Sequence, residues 1–382
     1  MDIFEKLTDE LELLEYEGTH NGYLYRVNHI LIILVSGLLC GLREIDDIHE
    51  WSKSKPAKEF FEEQFGITKV PCRAQFYNIL GSVDAQKFNK IFIKWMNGVL
   101  AMTGRGKTVS LDGKEIRGVR KLTENGKGLN IVSAVVSEFN LVIGSMECGD
   151  KKGEVTALRE LLELLDVSGG IVVADALHCK KKTAEAVIDA GADYLFVVKD
   201  NEPKLKAEIE SLINEEHTET SFTVEKNGGR YERRTAYITS QVGQIDGHEK
   251  WLNLSSVGAI SREVEKNNKV SMEWHYYISS AHLTAEEFLH HARMEWRVES
   301  MHWLLDVHFQ EDKTRVWDIN VQKLLNTGRK IALNLARLFK EHNCKPRTAL
   351  SDIFKRNLFD VDTLAGFIEY FRQNGINSQK LD

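Results

Sequence analysis

The longest apolar run in the chain is HILIILVSGLLCGL, His29 to Leu42. Its 14 residues fall short of the roughly 20 needed to cross a bilayer, so it predicts a buried core helix. In REIDDIHEWSKS, Ile45, Ile48 and Trp51 recur at helical spacing. AKEFFEEQFG is a further helix stopped by Gly66. VPCRAQFYNILGSV starts a helix at Pro71 and supplies Phe76 and Ile79 as its apolar face. DAQKFNKIFIKWMNGVLAM closes an all-helical stretch over 26–100. Residues 1–25 read as an acidic, partly amphipathic arm.

The pattern changes after Thr103. TVSLD is a short apolar run ending in Asp112, and GLNIVSAVVSEFNLVIGSMECG reads as two strands joined at Glu138–Asn140. A helix (GEVTALRELLELLD), a buried strand (GGIVVADA, ending at Asp175), a helix, a second buried strand (DYLFVVKD) and a helix follow. Three strands and then alternating helix and strand predict a mixed sheet with helices on its faces, an α+β or α/β core. Over 217–283 the alternation stops. Two hairpins are predicted, with turns at Asn227–Gly229 and Asn267–Asn268. Helix returns at Thr284, with Glu287 completing a capping box, and reads as one helix through HHARMEWRVESMHWLLDVHF. A last helical block covers 319–373. The expected division is 1–103 helical, 104–216 first part of the sheet core, 217–283 β-rich insertion and 284–382 helical completion of the core.

Composition narrows the function classes. The 42% apolar fraction over 382 residues supports a real core. A net charge of −7 excludes a global basic field, so any grip on nucleic acid must be local. The five cysteines form no C-x-x-C pair, which excludes a zinc ribbon and a disulfide framework and suits a reducing cytoplasm. Neither a G-x-G-x-x-G after a strand nor a G-x-x-x-x-G-K-[ST] is present, which argues against a nucleotide-dependent enzyme.

Candidate chemistry lies in three carboxylates. Asp112 and Asp175 end apolar strands, where sheet proteins hold ligands. Glu299 shares a helix face with Glu295, His302 and Asp306. Each has a bland alternative: a D-G turn for Asp112, a helix N-cap for Asp175, a solvated face for Glu299. As a set, three acids suit hard divalent ions such as Mg²⁺, and paired ions promote phosphodiester displacement. Basic residues surround them: Lys114, Arg117, Arg120 and Lys121; Lys180, Lys181 and Lys182; Lys199 and Lys204; Arg293, Arg297, Lys313 and Arg315.

At these residues the chain resembles bacterial insertion-sequence transposases of the DDE type, the group that includes the H-repeat-associated proteins. LDGKEIRG resembles the first-Asp motif, VVADALHCKKKT the second, DYLFVVKDNEP the strand and turn that follow, and RMEWRVESMHWLLDVHFQEDKTR the glutamate helix; GRKIALNLARL matches a segment near the end. NHILIILVSGLLCGLREIDDIHEW through VPCRAQFYNIL resembles the accessory domain that precedes the catalytic one. The resemblance implies an RNase H-like core with a β-rich insertion and an N-terminal all-helical accessory domain. It implies the triad Asp112, Asp175 and Glu299 holding Mg²⁺, with Mn²⁺ substituting, and metal-dependent cleavage and transfer of transposon ends into target DNA. A homodimer on double-stranded DNA is expected, and no membrane partner. Lys114, Arg117, Lys180 and Arg293 are the candidate phosphate contacts. Arg73, Gln75 and Tyr77 are candidates for reading the ends, if VPCRAQFYNIL is the second helix of a helix-turn-helix and not an ordinary bundle helix. The chain departs from the group at Glu295, where His is usual, and at Ser300, where Asn is usual. The alternatives are a catalytically impaired or repurposed DNA-binding relative, and a nuclease with the same acidic triad.

Overall fold

The computed structural model describes residues 3–14, 25–101, 107–120, 128–149, 151–213, 218–314, 316 and 318–374. Six helices come first: α1 (Ile3–Glu12), α2 (Val27–Leu39), α3 (Ile45–Ser52), α4 (Lys55–Phe65), α5 (Arg73–Ser82) and α6 (Ala85–Leu100). The apolar run forms α2, which is buried at every position except His29. Phe4, Leu7 and Leu11 repeat at helical spacing and are buried, so the acidic arm begins as a docked helix against α2 and α6.

The sheet begins with β1 (Thr108–Ile116), β2 (Leu129–Val136) and β3 (Leu141–Cys148), followed by α7 (Lys151–Leu164), β4 (Ile171–Ala174), α8 (Lys181–Asp189), β5 (Asp193–Val198) and α9 (Pro203–Leu212). β1 to β3 are antiparallel neighbours, and β1, β4 and β5 run parallel. The order β3-β2-β1-β4-β5 is the RNase H-like arrangement. Both faces are covered, as parallel strands require. Val172, Ala174, Tyr194 and Phe196 share the main core, while Val173, Leu195 and Val197 face the other way.

The insertion is not a separate lobe. Its strands β6 (Glu219–Asn227), β7 (Arg230–Thr239), β8 (Ser256–Lys266) and β9 (Lys269–Ser279) extend the core sheet, because β9 pairs antiparallel with β5 from Leu195↔Ser279 to Val198↔Tyr276. The result is one nine-stranded sheet ending β5-β9-β8-β7-β6. Both predicted turns are present. Gly228 and Gly229, then Asn267 and Asn268, all take positive φ, as two-residue hairpin loops demand.

Five helices finish the chain: α10 (Ala285–Met294), α11 (Arg297–Phe309), α12 (Ile319–Asn343), α13 (Leu350–Phe359) and α14 (Val361–Asn374). The single helix expected from Thr284 is two. It breaks because the Met294 carbonyl accepts hydroxyl hydrogen bonds from Ser110 (2.8 Å) and Ser137 (3.3 Å), which compete with the helix for it. α12 packs on α2 and α6, and α14 on α1 and α4. The first and last helices thus share one apolar core with the sheet. No described helix is long and apolar enough to cross a membrane.

Candidate active site

Sheet register brings the two aspartates together. Leu111 pairs with Ala174 in the parallel β1–β4 ladder, so the next residue in each chain is Asp112 and Asp175. They extend from the face that bears Val173, about 4.8 Å apart by strand spacing. Asp112 is not in a D-G turn. β1 continues through it, with Asp112 opposite Ser133 and Gly113 opposite Val132. The antiparallel β2 carries β1 onward where β4 stops. Asp175 opens a tight turn in which its Oδ1 accepts from Leu177 N–H (3.0 Å) and Asn201 donates to the Ala176 carbonyl (2.9 Å). Asn201 belongs to KDNEP, so that motif fastens the second aspartate's loop.

α11 brings Glu299 across the same face. The three carboxylates line one cleft of about 480 Å³. Two further acids crowd them. Glu295, at the break between α10 and α11, lines the cleft; burial first, then Asp175, Asp112 and Glu299, push it up to about 7 against the pull of Lys199. Asp112 is likewise pushed up to about 7, by burial first and then by the charges of Asp175, Glu154 and Glu299. Glu154 comes from α7 on the opposite face. Its carboxylate fills the space beside Gly113 where a Cβ would lie 2.3 Å from Oε1, and it meets the fully buried His178 at 3.2 Å. Any side chain at 113 would displace this carboxylate from beside β1.

Four cations join apolar residues such as Val197, Ile260 and Tyr277 in the rest of the wall. Lys199 follows β5, Arg234 and Arg262 come from the inserted strands, and Arg293 comes from α10. Glu232 pairs with Arg230, Arg234 and Arg262, and Arg293 with Glu225, so these cations are held in place. Trp296 stands at the rim, 56% exposed.

Several expected DNA contacts take other positions. Lys114 is turned inward: its ammonium lies 2.9 Å from Asp306 and 3.0 Å from Glu311, with the side chain 14% exposed. It is a structural cation beneath α11. Arg329 and Lys330 of GRKIALNLARL are buried in the same network, with Asn326 bonding both Glu311 and Lys330. His302 sits between the two layers, 3.7 Å from Asp112, and burial holds its imidazole down at about 3, hence neutral. Arg117 is exposed, and Lys180 meets Glu202 at 3.4 Å. Arg73 forms a bidentate pair with Asp46 (2.7 and 2.8 Å) and lies over the Tyr77 ring, so the two are tied to α3; Gln75 is exposed. Seven residues, 66–72, separate α4 from α5, longer than the three- or four-residue helix-turn-helix bend. Lys121 and Arg315 lie outside the described residues.

Sequence reasoning missed Glu154, His178, Arg234 and Arg262 as parts of this site. The one available signal was Gly113, since an isolated glycine inside a strand marks a close approach.

The comparisons agree with this geometry. The family model described as "Transposase DDE domain" matches residues 103–335, and that described as "DDE_Tnp_1-associated" matches 9–96. The chain is 30% identical to "Putative transposase YncI" of Escherichia coli O157:H7, over 88% of each chain. It is also 30% identical to "H repeat-associated putative transposase YhhI" of Escherichia coli (strain K12), over 81% of this chain and 85% of that one. A β1–β4 register that juxtaposes two aspartates and a following helix that adds a glutamate are thus joined to a match across the whole catalytic region, and the chain belongs to the transposase DDE domain family.

Proposed function

We propose that the protein is a divalent-metal-dependent transposase that cuts the ends of an insertion sequence and joins them to target DNA. Asp112, Asp175 and Glu299 are its metal-holding groups. The observation that carries this reading is their convergence in one cleft with cationic walls. The donors are all carboxylate oxygens, which suits Mg²⁺, with Mn²⁺ as substitute. Burial first, and then the charges of neighbouring carboxylates, raise Asp112 and Glu295 to about 7, and a divalent cation would relieve the repulsive part of that shift. Bound there, two such ions supply Lewis acidity to the attacking and leaving oxygens of an in-line displacement at phosphorus.

The chain's own groups position the DNA. Lys199, Arg234, Arg262 and Arg293 line the cleft opposite the acids and hold the phosphodiester. Water attacks the phosphorus first and the DNA 3′ oxygen leaves as a hydroxyl; that 3′ hydroxyl then attacks a target phosphorus, and the target strand's own 3′ oxygen leaves. Pairing two ends calls for two protomers on DNA. Exposed Arg117 and Gln75 remain candidate contacts with flanking duplex.

The testing experiment is calorimetric Mn²⁺ titration beside a nicking assay on the element's own ends, from pH 5.5 to 8. Carboxylates ligate only when ionised. With Asp112 titrating at about 7 in the metal-free protein, Mn²⁺ affinity is expected to rise by about tenfold per pH unit below 7 and to level off above it. A flat profile means that no ligating carboxylate titrates between pH 5.5 and 8, and Asp112→Asn then decides the ligand set: unchanged Mn²⁺ affinity in that variant removes Asp112 from it. A DNA-binding relative that does not cut is the second reading, favoured by the Glu295 carboxylate inside the cleft. Metal binding without nicking selects it, and nicking without joined products selects a nuclease.

A further inference from the structure

Behind α11 lies a second concavity of about 650 Å³, formed with the end of α12, the start of α13 and the β2–β3 turn. Within it are Arg297, Ser300, Trp303, Val307, Arg337 and Lys340. The Arg337 Nη1 is buried and meets no acceptor among the described residues. Neither Arg337 nor Arg297 has an ion pair among the described residues, although Glu138 and Glu341 also line the groove. Trp303 is 61% exposed. It lies two turns along α11 from Trp296, which borders the catalytic cleft. Trp296, Ser300, Trp303 and Val307 recur at four-, three- and four-residue steps, so they form one outward stripe running from the cleft into the groove.

A guanidinium nitrogen buried without an acceptor is costly, and planar N–H donors match phosphate oxygens. An exposed indole beside paired cations is a stacking platform for a base. We infer that this groove receives the DNA strand flanking the cleaved phosphodiester, with its phosphates on Arg297 and Arg337 and a base on Trp303. The inference rests on the DNA reading of the cleft but not on its catalytic step. Seven residues of helix span about 10 Å, close to three stacked nucleotides at about 3.4 Å each, so the contacted phosphates lie a few nucleotides from the cut. Burial first, and then the charge of Arg297, hold Arg337 down at about 10.

The test uses the full chain and two fluorescent probes, a blunt duplex of the element's own end and the same duplex with a single-stranded flank. The double variant Arg297→Gln/Trp303→Ala, both at exposed positions, is expected to lose about tenfold affinity for the flanked probe. It should keep its affinity for the blunt one, and the salt slope on the flanked probe should fall by about one. Arg337→Met removes the charge and keeps most of the volume. It should weaken flank binding while raising the melting temperature, a pairing that a purely structural role for Arg337 would not produce. Unchanged flank binding, or equal loss on both probes, overturns the inference. Unchanged DNA binding with loss of self-association in sedimentation also overturns it and assigns the groove to a second copy of the chain. Mn²⁺-dependent nicking by the wild type, run on the same samples, reports on the carboxylate cleft alone, so failure there is distinguishable from failure here.

Discussion

Asp175→Asn is expected to lower metal-dependent nicking by about 10³-fold, equivalent to about 4 kcal/mol of lost transition-state stabilisation. The substitution separates two roles of one side chain. Asp175 Oδ1 accepts a hydrogen bond from Leu177 N–H, and an asparagine oxygen can keep that bond. What it removes is the negative charge beside Asp112. The folded chain should therefore melt at the same temperature or higher, because Asp112 then escapes part of the repulsion that pushes it up to about 7. Lost nicking with unchanged or raised melting identifies the charge as functional. Retained nicking in Asp175→Asn would leave the residue as a turn former and sink its role as a metal-holding group.

Lys114→Met is expected to destabilise the fold by about 3–5 kcal/mol, read as a drop in the urea midpoint. Lys114 joins Asp306 and Glu311, and the Glu311 side chain is 2% exposed. Burial alone would push Glu311 up, but Lys114, Arg329 and Lys330 together hold it below the usual carboxylate range. The sign follows. A carboxyl whose folded pKa is depressed contributes stability above its unfolded value of about 4.3, and that contribution is lost as pH falls through the folded pKa. Removing Lys114 should therefore hurt most near neutrality, and the gap to wild type should narrow in acid. A phosphate-contacting lysine would behave otherwise. Its loss would weaken DNA binding and reduce the salt slope while leaving the urea midpoint unmoved.

The two predictions concern adjacent layers of one device. Asp112 leaves β1 toward the cleft, and two residues later Lys114 leaves the same strand and fastens the end of α11 through Asp306 and the following Glu311. Between them, His302 of α11 faces Asp112. The helix that carries Glu299 is thus tied to the strand that carries Asp112 through the largely buried side chains of Lys114, Glu311 and His302. Such ties hold the separate carboxylates in one fixed arrangement.

Much of this was legible in residue pattern alone. Period-two strands, 3.6-period helices, the apolar α2 run and the glycine and asparagine turns are local properties. Each depends on backbone preferences within a few residues, and most stand where the pattern put them, the helix expected from Thr284 being the exception that tertiary contacts broke in two. The three carboxylates were also visible, because residue type and strand context mark them. Their meeting was not. It depends on Leu111 pairing with Ala174 across about sixty residues of chain. The helix break depends on Ser110 and Ser137 reaching the Met294 carbonyl. The inserted strands joined the core sheet because β5 left an open edge that β9 could satisfy. Lys114 turned inward because Asp306 and Glu311 came to lie beside it, and Glu154 approaches Asp112 from the opposite face because Gly113 leaves space for its carboxylate. The sequence by itself determined the elements, their order and the chemistry available to them. The tertiary structure alone decided which charges face the cleft and which are spent holding it together, because hydrogen-bond and ion-pair partners are chosen by proximity in space, and local sequence does not carry that information.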